Sequence, residues 1–176
     1  MKNLYYFAYG SNLHPLRLQK RVPSAQLKGM IAMPGYQLRF HKRHHEDNSG
    51  KCNMFFTRQH NDVVYGALYE MKAIERPLLD QCEGEGYRCD TLQVQFKDSE
   101  YESFVYIAEE SHIDDSLKPH SWYQEIVQLG AEFHRLPEDY LNLIRNVDVG
   151  VDPDRVQHDQ NSRLIAEMRA YMKNSE

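Results

Sequence analysis

Residues 4–9 are almost uninterrupted aromatic and aliphatic side chains, and Gly10-Ser11-Asn12 stops the run abruptly. This is the pattern of a short strand entering a turn. Pro15 then suits the first turn of a brief helix over residues 15–20, which Pro23 closes. Between Gly29 and Phe40 the apolar positions are Met30, Met33, Tyr36, Leu38 and Phe40. Their alternation is clearest at the end, so the segment predicts a strand that is irregular around Pro34-Gly35. Residues 54–57, 63–71, 87–96 and 102–108 predict further strands. Asn61-Asp62 and the stretch 97–100 supply turns within that series. Helical spacing appears first at Ile74, Leu78 and Leu79, which predicts a helix over 73–82. It dominates the last third, in three places. Ser121 opens a helix through Trp122, Ile126, Val127 and Leu129. Leu136-Pro137-Glu138 opens another through Tyr140, Leu141 and Ile144. Residues 162–172 carry an apolar side made by Leu164, Ile165, Met168 and Tyr171.

An early set of strands followed by late helices predicts an α+β fold. With 176 residues and no tandem repeat, the chain reads as one domain over 1–176, with 155–176 a C-terminal helical extension. Hydrophobic residues at 41% and charged residues at 27% are enough for an ordinary core. A net charge of −5 opposes a chain built to neutralise phosphates, so no nucleic-acid partner is expected. The three cysteines, Cys52, Cys82 and Cys89, are scattered and odd in number, which gives neither a disulfide framework nor a zinc ladder. Without a long apolar run, a membrane association is not expected and the cytoplasm is the default compartment. The chain is expected to act as a monomer or homodimer.

Two segments could carry chemistry. In Phe7-Ala8-Tyr9-Gly10-Ser11-Asn12-Leu13, a strand ending in Gly-Ser-Asn can present successive backbone N–H groups to an anion. Spacing alone leaves a plain strand-to-turn junction as the other reading. In Asp80-Gln81-Cys82-Glu83-Gly84-Glu85-Gly86-Tyr87, three carboxylates follow an apolar helix, and one of them is bracketed by the helix end and a glycine turn. A carboxylate at the mouth of a sheet is partly desolvated and suited to proton transfer. The residues do not by themselves rank the three acids, and a hydrophilic connector is the other reading. Cys82 has no histidine arrangement beside it, so burial or simple lining fits it better than a nucleophile's role. His41, His44, His45 and Glu46 lie in a polar run with Lys42 and Arg43, and no closing ligand follows at zinc spacing. Residues 41–50 therefore read as an exposed loop, with substrate contacts as a further reading; no metal is expected.

The order of four motifs resembles the gamma-glutamylcyclotransferase family. Tyr9-Gly10-Ser11-Asn12 is similar to its opening signature, and Val64-Tyr65-Gly66-Ala67-Leu68-Tyr69 to its central strand. Leu79-Asp80-Gln81-Cys82-Glu83-Gly84 resembles the helix end that carries its catalytic glutamate. Tyr123, Leu129-Gly130-Ala131-Glu132 and Leu136-Pro137-Glu138-Asp139-Tyr140 resemble its C-terminal helical signature. The resemblance implies a small mixed β-barrel or strongly curled sheet with flanking helices. It implies cleavage of a gamma-glutamyl amino acid or amine to 5-oxoproline and the free amino acid or amine, with no cofactor. It makes Glu83 the acid/base, assigns substrate binding to Tyr9, Gly10, Ser11, Asn12 and Leu13, and gives Tyr123 a pocket hydroxyl. The partner would be a small gamma-glutamyl compound. Tyr-Gly-Ser-Asn departs from the Tyr-Gly-Ser-Leu of the glutathione-specific branch. A non-catalytic ligand-binding or scaffold protein that keeps the fold is the alternative.

Overall fold

The strand β1 (Asn3–Ala8) lies at the centre of the molecule, because both of its faces are covered. Phe7 points into one apolar cluster with Ile126, Val127 and Val105, while Tyr6 and Ala8 join a second with Leu18, Leu79 and Phe104. A strand buried on both sides needs apolar residues in succession, which accounts for its unbroken pattern. In the computed structural model, which describes residues 2–175, β1 is followed by α1 (Pro15–Arg21), β2 (Gln26–Pro34), β3 (Tyr36–Arg43), β4 (Gly50–Phe56) and β5 (Val63–Lys72). Then come α2 (Arg76–Glu83), β6 (Tyr87–Phe96), β7 (Ser99–Ala108), α3 (Ser121–Phe133), α4 (Glu138–Arg145) and α5 (Arg155–Lys173). Among the described residues, no helix is long and apolar enough to cross a membrane.

Five strands form a mixed sheet in the order β2-β5-β1-β7-β6, with β1 antiparallel to β5 and parallel to β7. β3 and β4 pair only with each other. The fold is therefore α+β with a sheet and flanking helices; of the barrel or strongly curled sheet expected from resemblance, a closed barrel is not formed among the described residues. The cause lies at Gly35, whose φ of 86° turns the chain out of β2's ladder. Its N–H donates to the Asp62 carbonyl and its carbonyl accepts the Thr57 N–H, which fixes the corner and sends β3 onto β4. The hairpin is joined to the large sheet by side chains instead. Asn53 on β4 accepts the Ala108 N–H at 2.9 Å and donates to His41 Nε2 at 3.0 Å. The Nδ1 proton of His41 consequently goes to Asp115, 2.6 Å away.

Residues 41–50 are not the uniformly exposed loop their polarity suggests. β3 runs through Arg43 and β4 begins at Gly50, and His41, Lys42, Ser49 and Gly50 are buried. The charges can be buried because they satisfy one another: Asp47 accepts from Lys51 Nζ at 2.7 Å and from the Ser49 hydroxyl at 2.7 Å. Burial alone would raise the Asp47 carboxyl, but donors from His44, Lys51 and Ser49 hold it well below the usual carboxylate range.

α3 and α5 pack over the start of α1, where His14 is fully buried between the rings of Phe133 and Tyr171. Its Nδ1 caps α1 by accepting the Leu16 N–H at 3.2 Å, a role open only to the neutral ring. Desolvation, helped by nearby His134, pulls the His14 pKa from 6.5 to about 4. The unfolded chain thus takes up a proton that the native one refuses. This contribution to stability is complete above pH 6.5 and is lost as pH falls toward 4. Melting temperatures measured across that window should decline, and His14→Asn, which keeps an N-cap acceptor, should flatten the decline.

Candidate active site

The turn after β1 and the C-terminal end of α2 meet at one pocket. The backbone N–H groups of Gly10, Ser11 and Asn12 find no acceptor among the described residues. Unpaired N–H groups on successive residues form a concavity suited to an anion. The Leu13 N–H is not part of it, since it closes the turn on the Gly10 carbonyl at 3.0 Å. Leu13 itself is wholly buried, and its carbonyl accepts from Tyr69 Oη and lies 2.8 Å from His134 Nε2. Leu13 is thus a foundation of the loop and does not line the pocket.

Glu83 is the last residue of α2, and Gly84, with φ at 69°, turns the chain away immediately afterwards. A residue with a Cβ resists that conformation, so the glycine lets the helix stop with its final carboxylate facing the β1 turn. Asn12, only 3% exposed, holds it there: its Nδ2 donates to Glu83 Oε1 at 2.7 Å and lies 3.1 Å from Tyr6 Oη. Its Oδ1 accepts from Arg21 Nη1 at 2.9 Å. A carboxylate on one side and a guanidinium on the other fix the orientation of the Asn12 amide. Arg21 also approaches Glu83 Oε1, more loosely, at 3.4 Å. Both contacts fall on Oε1, so Oε2 has no protein partner among the described residues.

The neighbouring acids are placed differently. Asp80 is exposed, accepts the Tyr106 hydroxyl and sits 3.6 Å from Arg76 Nε. Glu85 is exposed, and only its backbone carbonyl is engaged, by Lys42 Nζ at 2.5 Å. Of the three carboxylates, Glu83 alone lines the pocket.

The pocket has two connected parts. A narrow inner recess of about 20 Å³ is bounded by Tyr6, Tyr9, Gly10, Ser11, Asn12, Cys52, Tyr87, Tyr106 and Tyr123, with Glu83 at its edge. An outer vestibule of about 250 Å³ shares Ser11, Glu83, Tyr87 and Tyr123 with it and extends to Arg17, Lys51, Trp122 and α5. The structure therefore brings Glu83, Tyr9, Gly10, Ser11, Asn12 and Tyr123 to one place and leaves Leu13 behind them.

The recess is a ring of phenols kept neutral by burial. Desolvation raises Tyr6, Tyr9, Tyr87 and Tyr123 well above the ordinary tyrosine value, so they serve as hydrogen-bonding groups and not as bases. Tyr9 donates to the Tyr106 carbonyl at 2.6 Å, Tyr87 donates to the Cys52 carbonyl at 2.5 Å, and Tyr123 Oη accepts the Cys52 N–H at 3.1 Å. Burial pushes the Cys52 thiol up to about 12, which excludes it as a thiolate nucleophile at neutral pH. Cys82, expected to be buried or a simple lining group, is exposed and borders the vestibule.

Arg17, Arg21, Lys51 and Tyr87 belong to the site but carry no local signature of it. The two arginines are four residues apart on α1, a spacing that puts them on one face, yet one that a solvated helix shares. Lys42, 1% exposed, supports the site from below by holding the Glu85 carbonyl and lying over the Tyr87 ring, 4.5 Å from its centroid.

Residues 63–144 match the AIG2-like family. The gamma-glutamylcyclotransferase of Bos taurus is 24% identical over 152 residues, spanning 84% of this chain and 80% of that protein. Among solved structures, a gamma-glutamyl cyclotransferase superposes with a TM-score of 0.80 at 22% identity, covering 94% of this chain and 99% of its own. An uncharacterized Homo sapiens protein gives 0.77 at 22% identity, with the same coverages of 94% and 99%. The match over residues 63–144, the curated relative and a fold shared over nearly the whole chain make this protein similar to the AIG2-like family and to gamma-glutamylcyclotransferases.

Proposed function

We propose that the protein cleaves a gamma-glutamyl compound by intramolecular cyclisation, giving 5-oxoproline and a free amine or amino acid. The observation that carries this reading is the pairing of a half-buried carboxylate, Glu83, with an adjoining turn of unpaired N–H groups at Gly10, Ser11 and Asn12. One element can move a proton and the other can hold an anion, and they meet across Asn12.

The substrate's own α-amine is the nucleophile and its γ-carbonyl the electrophile, so the reacting atoms arrive already tethered. Glu83 removes a proton from the α-ammonium through its free Oε2. The amine then adds to the γ-carbonyl, forming the ring C–N bond. The bond to the leaving nitrogen breaks as Glu83 returns the proton to it; the ring nitrogen then gives up its second proton to the freed Glu83 carboxylate, which passes it to the released amine as an ammonium ion, so atoms and charge balance without a covalent enzyme intermediate. The unpaired N–H groups suit either the substrate's α-carboxylate or the tetrahedral oxyanion, and one such donor to an oxyanion is typically worth about 3–4 kcal/mol. Tyr9 and Tyr123 supply neutral walls that shield the proton transfer from water. Ser11 shapes the turn and is not an attacking group.

The test is chemical. Purified protein incubated with gamma-glutamyl amino acids, gamma-glutamylamines and glutathione should release 5-oxoproline and the free amine in equal amounts from at least one of them. A folded protein that neither turns over nor binds any of them would point to the scaffold alternative.

A further inference from the structure

Lys42, on β3, is only 1% exposed, and among the described residues it forms no ion pair. Its ammonium has one hydrogen bond there, to the Glu85 carbonyl at 2.5 Å, and lies 4.5 Å from the Tyr87 ring centroid. Lys51, opposite it across the hairpin, is by contrast paired with Asp47 at 2.7 Å. Taking an ammonium out of water without a carboxylate partner is unfavourable, and burial pulls Lys42 below the ordinary lysine value. Lys51 adds to that fall. The charge of Glu83 opposes it most, ahead of Asp47 and Glu85, so Glu83 is the chief counter-charge of this lysine.

Lys42 also holds the chain that follows Glu83. The turn runs through Gly84 and Gly86, both at positive φ, and the space where Gly84 would carry a Cβ is open. Two anchors fix the turn: Lys42 on the Glu85 carbonyl, and the Glu109 N–H on the Gly86 carbonyl at 2.9 Å. A residue flanked by glycines has little else to restrain its backbone. Lys42 itself lines neither the recess nor the vestibule, so it acts from behind the pocket.

We infer that Lys42 is a positioning residue for the reaction: it pins the turn that aims Glu83, and its charge favours the ionised carboxylate. The inference rests on the reading of Glu83 given above. Coulomb attraction is mutual, so a carboxylate that stabilises the ammonium is stabilised by it equally. The bias serves the half of each proton cycle in which Glu83 gives its proton away. The other charges facing Glu83 are Arg17 and Arg21 from α1, while the surrounding phenols and the Cys52 thiol are kept neutral by burial. Both arginines remain when Lys42 is changed, which isolates its effect.

Lys42→Met removes the charge and the hydrogen bond, whereas Lys42→Gln removes the charge and keeps a donor. In both, the acid limb of the kcat/KM profile, where Glu83 must be ionised, should move up by about half to one pH unit. The plateau kcat should fall about 10-fold in Lys42→Met and less in Lys42→Gln, with KM unchanged. Lys42→Gln keeps the test open if Lys42→Met fails to fold. An acid limb that stays in place, whether or not the plateau falls, would leave Lys42 structural and overturn the inference with cyclotransfer still standing. If the wild type turns over none of the gamma-glutamyl compounds, carbon NMR of protein labelled at glutamate, with the Glu83 carboxyl assigned from Glu83→Gln, reads the same coupling. A titration midpoint that rises in the Lys42 variants would then keep the coupling while cyclotransfer is rejected. An unmoved midpoint would reject both.

Discussion

Glu83→Gln is expected to reduce kcat by about 100- to 10,000-fold, the usual cost of losing a general acid–base group. The substitution is nearly isosteric, and the amide oxygen of Gln can still accept from Asn12 and Arg21, the two contacts that now fall on Glu83 Oε1. It cannot take a proton from one nitrogen and deliver it to another. The loss should therefore appear in kcat with substrate affinity and melting temperature largely kept. Glu85→Gln, two positions away, is the matched control. That side chain is exposed and outside the pocket, and among the described residues it makes no hydrogen bond, Lys42 being held by the backbone carbonyl. A steady-state comparison of the two variants decides the assignment: equal turnover by Glu83→Gln and wild type would remove Glu83 from the chemistry.

The second large effect is expected far from the carboxylate, at Gly130→Ala. Gly130 lies in the middle of α3, where alanine would ordinarily add about 1 kcal/mol of helix stability. Here a Cβ would lie 2.6 Å from Leu13 Cβ and 3.1 Å from the His14 backbone nitrogen. Leu13 cannot swing aside, because the contact is with its own Cβ and the residue is fully buried with its carbonyl engaged. Relief requires α3 and the β1–α1 turn to separate, and overpacking of that kind typically costs about 1–3 kcal/mol. The clash outweighs the propensity gain. A net loss of up to about 2 kcal/mol should lower Tm by up to about 8 °C for a chain of this size. Turnover should fall as well, since Leu13 adjoins the Asn12 that holds Glu83. A thermal melt showing a higher Tm would refute the close approach.

The features legible from sequence are those in which neighbours along the chain cause the structure. The apolar run ending at Gly10-Ser11-Asn12 announced a strand and turn, and the spacing of Trp122, Ile126, Val127 and Leu129 announced α3. What escaped depends on partners distant in sequence. The segment 41–50 looked exposed because its charges are visible in sequence while their pairing is not; Asp47 meets Lys51, and His41 meets Asp115, only in the fold. α5 begins at Arg155, where the C-terminal helical extension was expected to start, but its apolar side was legible only over 162–172: the first turns are polar, and Asp154 caps them through the Val156 and Gln157 N–H groups. The pairing of β3 escaped for a related reason: one glycine corner and the long-range partner of Gly35, Asp62, decide where that strand goes. Within the site, Glu83 could be separated from Asp80 and Glu85 only by resemblance. The physical distinction, an Asn12 amide 71 positions away in sequence, exists only in three dimensions.

The central claim is that the leaving group is expelled by the substrate's own amine and not by water. Its most direct test is to run the reaction to completion in water enriched in ¹⁸O and identify the glutamyl-derived product by mass spectrometry. Cyclisation predicts 5-oxoproline with no heavy oxygen, formed in equal amount with the released amine and largely absent with Glu83→Gln. Free glutamate carrying one heavy oxygen as the first product would show hydrolysis and contradict the account.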